Sequence, residues 1–163
     1  MSNATHFYTG YYSGKNEIYD EISKRLEKDE NLQFMDNEDE SADDQNIYYD
    51  ASIFLQGSCQ LFSLALHQEF GYDAFEIRKG TSCHFFCKAV YNGETVYIDV
   101  RGITASWDEF LSGTRYDFTN YDKIIPQDIE EDAKLSGPYE KEGLAFAKHL
   151  IHEHPKYYNI GTP

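Results

Sequence analysis

The segment around Asn92-Gly93 constrains the fold of this chain more than any other part of its sequence. The residues before it, Cys83 to Tyr91 (CHFFCKAVY), and those after it, Glu94 to Arg101 (ETVYIDVR), both have the alternating pattern of β-strands. Asn-Gly between two such runs is a strong signal for a two-residue hairpin turn. The sequence therefore predicts two neighbouring antiparallel strands in which Tyr91 pairs with Glu94.

A two-residue turn fixes which side chains of the hairpin share a face. Counting outward from the turn places Asp99 opposite Phe86 and makes His84 its diagonal neighbour, close enough for a carboxylate to approach an imidazole N–H. The other face is apolar throughout: Cys83, Phe85, Cys87, Ala89, Val96, Ile98 and Val100. We therefore expect the face with His84 and Asp99 to be the polar one. A longer turn would shift the register by one residue and separate the pair.

Upstream of these strands, a cysteine stands where a helix is predicted to begin. Ser58 is a suitable N-cap, an apolar stripe follows Cys59, and Gly71 suits the position just past the end of the helix. The free N–H groups and the dipole at a helix N-terminus stabilise a thiolate. We therefore expect Cys59 to be a nucleophile with a lowered pKa, served by a base from elsewhere in the chain.

The stretches GSCQLFSLALHQEFGYDAFEIR and CHFFCKAVYNGETVYIDVRG together resemble the catalytic core of transglutaminase-like proteins, within the broader papain-like group of cysteine proteases. In that family a cysteine opens a helix, a histidine follows on a strand in an aromatic context, and an aspartate ends the next strand. Gly57-Ser58-Cys59, His84-Phe85-Phe86 and Tyr97-Ile98-Asp99 match these three elements. The resemblance covers residues 51 to 104.

This resemblance implies an α+β, papain-like core in which the catalytic helix packs on a small antiparallel sheet. Cys59 would attack an amide, ester or thioester carbonyl, His84 would carry the proton, and Asp99 would hold the imidazole in the useful tautomer. The family often uses an upstream Trp or Gln as an oxyanion donor beside the backbone N–H of the cysteine, and no Trp precedes Cys59. Gln56 is the candidate here, with Gln60 and the more distant Gln45 as alternatives. The implied activity is that of a protease, deamidase or transglutaminase, with a protein or peptide substrate and no metal or organic cofactor.

The length of 163 residues and a hydrophobic share of 40% predict one domain spanning residues 1–163, with the catalytic core at about 51–104. Further helices are expected at Asn16–Lys28 and Tyr139–His154, a strand at Asp73–Lys79, and a short helix near Trp107. No apolar run is long enough to span a membrane, and the first residues do not resemble a signal peptide. Three cysteines without an export signal favour free thiols and a cytoplasmic location. The oligomeric state stays open.

The formal net charge is −15, from 14 basic and 29 acidic residues. Such a charge opposes binding to nucleic acid or to an anionic membrane and favours a basic substrate or partner. The acidic run from Asp36 to Asp44 is expected to be an exposed loop or, alternatively, a docking patch. A second hypothesis for the whole chain is therefore a non-enzymatic acidic inhibitor that imitates a nucleic-acid backbone and binds a basic protein.

Structural roles remain open for each candidate residue. Cys59 can be an ordinary buried helix cysteine, His84 a satisfied sheet histidine, and Asp99 a partner of Arg101. Cys83, His84 and Cys87 also suggest zinc, but neighbouring strand residues point to opposite faces, and the chain has no second CxxC pair.

Overall fold

The computed structural model describes residues 51–160, apart from residues 56, 92, 112–117 and 136. The predicted helix at 16–28, the acidic run at 36–44, and both Gln56 and Asn92 lie outside the described residues. The elements in chain order are a 3₁₀ helix Ala51–Leu55, α1 Cys59–Phe70, β1 Asp73–Lys79, β2 Ser82–Tyr91, β3 Glu94–Asp99, β4 Gly102–Thr104, α2 Trp107–Leu111, β5 Lys123–Gln127, α3 Ile129–Asp132, α4 Pro138–Glu153 and α5 Pro155–Tyr158.

The strands form one five-stranded antiparallel sheet in the order β4-β3-β2-β1-β5, which confirms the α+β class. Tyr91 pairs with Glu94, so the predicted register of the hairpin is correct. Gly93 has φ +81°, the left-handed conformation that such a turn demands and that glycine adopts without strain.

Two strands of the sheet were not predicted. The edge strand β5 contains Pro126, which lacks an N–H for a ladder and lowers the strand signal of its sequence. The other, β4, has only three residues, too few to show an alternating pattern.

Helix α1 covers one face of the sheet, and α4 packs against α1. The main core lies between them and the apolar strand residues, and it includes Leu66, Cys87, Ile98 and Ala147, all fully buried. Helix α1 begins at Cys59 and ends before Gly71, as predicted. Gly71 has φ +77°, and its N–H donates to the carbonyl of His67. Within the described residues, no helix is long and apolar enough to cross a bilayer.

The opposite face of the sheet is not the polar surface that the alternation predicts, so that expectation is wrong. It carries a second apolar cluster composed of Ile77, Phe86, Phe110, Leu111 and Phe118. Helix α2 supplies Phe110 and Leu111 and lies over the strands, with the Phe86 and Phe110 ring centroids 4.6 Å apart. His84 and Asp99 therefore lie beneath an aromatic cover.

Candidate active site

His84 and Asp99 form a buried hydrogen-bonded pair. The Nε2 atom of His84 lies 2.9 Å from Oδ2 of Asp99, and the two residues are 3% and 2% exposed. The hairpin places them on adjacent strands and on one face, as the register predicts. The bond at Nε2 fixes the ring orientation and leaves Nδ1 as the atom that can exchange a proton with a substrate or a nucleophile.

Arg101 is the second partner of Asp99. Its Nη2 lies 2.7 Å from Oδ2 and its Nε 3.1 Å from Oδ1, while its backbone N–H donates to Oδ1 at 2.9 Å. The guanidinium also donates to the carbonyl of Phe110 at 3.1 Å, and Arg101 is only 1% exposed. The structural alternative for Asp99, a pair with Arg101, is thus present together with the pair to His84.

The charge of Asp99 is held in place by these contacts. Burial raises the pKa of its carboxyl group, but the contacts with Arg101 and His84 together outweigh burial, so that the pKa lies well below the usual range. Asp99 is therefore a carboxylate at any pH near neutrality. Two rings, Phe110 and Phe118, lie near the imidazole, with centroids 6.1 Å and 6.3 Å from that of His84, and keep water from this face.

The sulfur of Cys59 approaches the sheet at an interrupted stretch of β2. Strand β3 pairs with β2 only from Cys87 to Tyr91 and then turns away at Asp99 into β4. The earlier part of β2 has no β3 neighbour, and there the backbone N–H of Phe85 donates to Sγ of Cys59 at 3.3 Å. The start of α1 therefore takes the place of the missing strand.

This contact brings the sulfur close to His84. Phe85 N is bonded to the carbonyl carbon of His84, so Sγ lies within about 6 Å of the His84 Cα atom by standard bond lengths. The sulfur bonds to the Phe85 N–H and the imidazole to Asp99, so within the described residues no Cys59–His84 hydrogen bond is formed. The sulfur therefore lies near the backbone of His84 and makes no hydrogen bond to its imidazole.

The predicted thiolate is wrong for this conformation. Burial raises the pKa of the Cys59 thiol to about 12, because water is withdrawn from the charged form; the Phe85 N–H lowers it by less, and the Asp99 charge raises it further. Cys59 is 8% exposed. Since the desolvation outweighs the helix N-terminus, the thiol is neutral in the free protein.

The other two cysteines differ in position. Cys83 is exposed, while Cys87 is fully buried and points its thiol to the carbonyl of Ser63 in α1. Burial raises the pKa of the Cys87 thiol, which makes it an inert core residue. Over the part of the chain that the structure describes, no group of three or more His, Cys, Asp or Glu side chains is placed to hold a metal ion.

One polar group beside the site was missed at the sequence level. Glu76 of β1 is 4% exposed and bonds to Arg78 and to Gln127 of β5. The alternation of DAFEIRK places Glu76 and Arg78 on one face, and this spacing is the sequence signal for their pairing. Their partner Gln127 lies in the strand that the sequence did not reveal.

Three of the four predicted site residues are thus brought together, namely Cys59, His84 and Asp99, while Gln56 lies outside the described residues. No family model, no curated protein and no solved structure matches this chain. The function of the site is therefore inferred from its own geometry.

Proposed function

We propose that this chain is a cysteine-dependent hydrolase or acyltransferase with a papain-like, transglutaminase-like core, acting on an amide-type bond through a thioester. One observation carries the proposal. A buried imidazole bonded to a carboxylate at 2.9 Å lies next to the residue whose N–H contacts a thiol at the start of a helix. These are the parts that a nucleophile, its base and the group orienting that base require.

The reaction begins from a neutral thiol. As Sγ of Cys59 bonds to the substrate carbonyl carbon, the thiol proton passes to Nδ1 of His84, and the Asp99 carboxylate stabilises the imidazolium that forms. The tetrahedral carbon then expels the amine or alcohol, which takes the proton from His84, and an acyl thioester remains. Water releases the acid and restores the thiol, whereas attack by an amine gives a new amide.

The oxyanion of the tetrahedral intermediate needs donors. We assign this role to the backbone N–H of Cys59 and to Gln56, as the resemblance implies. Because Cys59 is only 8% exposed, substrate reaches the sulfur after the groups around it separate. Excluding water from the closed site then strengthens the bonds that His84 and the oxyanion donors make.

Hydrolysis of 4-nitrophenyl acetate tests the proposal, since its release of 4-nitrophenolate reports each turnover. We expect turnover to be abolished by Cys59→Ala and lowered about a hundredfold or more by His84→Ala, the size typical for removal of a general base. Cys83→Ser is the matched control, because it removes an exposed thiol near the site. Turnover that survives Cys59→Ala but is lost in Cys83→Ser would overturn the assignment.

The acidic-inhibitor hypothesis keeps its own support. The buried thiol of Cys59 with a pKa of about 12 suits a protein without catalysis, and the net charge of −15 suits a basic partner. An inhibitor should be indifferent to Cys59→Ala and should bind more weakly when the run from Asp36 to Asp44 is neutralised. A pull-down with a basic nucleic-acid-binding protein, wild type against both variants, separates the two functions.

A further inference from the structure

On the sheet face that packs against α1, the side chain of Arg78 near the end of β1 is held by an ion pair. Arg78 of β1 bonds to Glu76 through Nε at 3.1 Å and Nη2 at 3.2 Å. Gln127 of β5 donates to the same carboxylate at 2.8 Å, so Glu76 is held from two strands. The carboxylate is 6% exposed whereas the Arg78 side chain is 47% exposed. The guanidinium thus bonds to Glu76 through Nε and Nη2, and its half-exposed side chain retains donors for another acceptor.

A second cation lies directly beside it. The register of β1 and β5 pairs Arg78 with Lys123, and both side chains are exposed on the same face. Like charges directly opposite one another destabilise a sheet. Among the described residues, Arg78 forms an ion pair with Glu76 and Lys123 forms none. The pair is unusual in a chain of net charge −15. An anion bound between the two side chains would relieve their repulsion.

Of the two cations, Arg78 lies nearer to the Cys59 sulfur, because β5 with Lys123 lies one strand beyond β1. Arg78 is paired with Cys83, and Glu76 is paired with Phe85, whose N–H contacts Sγ. One strand spacing separates Glu76 from Phe85, so the guanidinium lies roughly 10 Å from the sulfur. The partly buried side chain of Phe85 lies on the same face, between the two, and offers apolar contact to a substrate chain.

We infer that Arg78 and Lys123 form a subsite for a carboxylate of the substrate, an acidic side chain or a chain terminus, about 10 Å from the carbonyl that Cys59 attacks. The inference rests on the proposed function and names a substrate class for it. The overall acidity of the chain still favours basic regions elsewhere in the substrate. At this one position a carboxylate is preferred over a neutral or basic group.

The test compares two activated esters of equal length. One is the mono-4-nitrophenyl ester of octanedioic acid, whose free carboxylate extends about as far as the Arg78 guanidinium lies from the sulfur. The other carries a primary amide in place of that carboxylate. We expect the wild type to have a kcat/KM about fivefold higher for the carboxylate, the size of one exposed charge-assisted contact. Arg78→Gln should bring the ratio to one, and Lys123→Gln should lower it while leaving the buried Glu76 pair intact.

Lys88→Gln is the matched control, because Lys88 lies on the same sheet but on the opposite face, over the ring of Phe75. This variant should keep the wild-type ratio. A ratio near one in the wild type, with turnover that depends on Cys59, would overturn the subsite and leave the proposed function standing. If Lys88→Gln and Lys123→Gln lower the ratio equally, the preference for the carboxylate reflects the overall charge of the protein, and the subsite is overturned as well. Absence of Cys59-dependent turnover on both esters removes the function and the subsite together.

Discussion

Replacing Arg101 by methionine should destabilise the fold strongly at neutral pH. Methionine keeps most of the aliphatic stem but removes the guanidinium, which makes three side-chain contacts to Asp99 and one to the carbonyl of Phe110. Asp99 would then be a carboxylate at 2% exposure with His84 and one backbone N–H as its remaining partners.

The magnitude follows from the cost of leaving a buried charge without its counter-ion. Breaking a buried ion pair by removing one member costs about 3–5 kcal/mol of unfolding free energy. A domain of this size is stable by only about 5–15 kcal/mol, so Arg101→Met should lose about a fifth or more of the total. The double variant Asp99→Asn/Arg101→Met removes both charges and should recover part of that loss.

The pH dependence has a definite sign. In the wild type the pKa of Asp99 lies far below its ordinary value of 3.8, so the pair contributes its full stability above that value and loses it as the pH falls further. Without Arg101, burial dominates and raises the pKa of Asp99. Protonation of Asp99 then reduces the destabilisation of the variant as the pH falls. The difference in unfolding free energy between wild type and variant should therefore be largest at pH 7 and should decrease toward pH 4.

Urea denaturation followed by far-ultraviolet circular dichroism at pH 7 and at pH 4.5 measures these differences. Arg78→Gln is the control, since it removes an arginine whose side chain is 47% exposed and should change stability far less. A loss below about 1 kcal/mol for Arg101→Met, the range of surface pairs, would refute the reasoning. So would a double variant that is as unstable as the single one at pH 7.

Two further predictions concern the thiols and the end of the chain. At pH 7 iodoacetamide should modify Cys83 before Cys59, because Cys83 is exposed. The modification rate at Cys59 should keep rising up to pH 10, because burial raises the pKa of this thiol to about 12. Peptide mapping follows both sites, and a plateau in the Cys59 rate near neutral pH would contradict the burial argument. Tyr158→Phe should lower the unfolding free energy by about 1–3 kcal/mol, as measured by thermal denaturation. The hydroxyl of the fully buried Tyr158 donates to the carbonyl of Val100 at 2.7 Å, and its loss leaves that oxygen without this donor. An unchanged melting temperature would show that water replaces the bond.

The hairpin and its register could be predicted because the signals are local. Asn92-Gly93 selects a two-residue turn, and from Tyr91 and Glu94 onward the pairing follows by counting. The meeting of His84 with Asp99 is a direct consequence of this register. Gly71 likewise marks the end of α1 through its left-handed backbone conformation, whereas Ser58 stands at the N-cap without a side-chain capping hydrogen bond.

The environment of the site could not be predicted, because it depends on contacts between distant segments. Phe110 and Phe118 approach His84 from beyond β4, and nothing in the alternation of β2 and β3 indicates that they cover it. For the same reason the helix-terminal position of Cys59 suggested a low pKa, whereas burial by the surrounding core raises it. Local pattern gave the arrangement of the groups, and packing determined their protonation.

The early end of β3 has a consequence for how this domain can change. Had β3 continued along β2 for two more residues, its backbone would claim the N–H of Phe85, and the thiol of Cys59 would lose its donor. A substitution at Val100 or Arg101 that lengthens the hairpin therefore removes the contact between the Cys59 sulfur and the Phe85 N–H beside His84. If the proposed function holds, a longer strand β3 removes it while Cys59, His84 and Asp99 all stay unchanged.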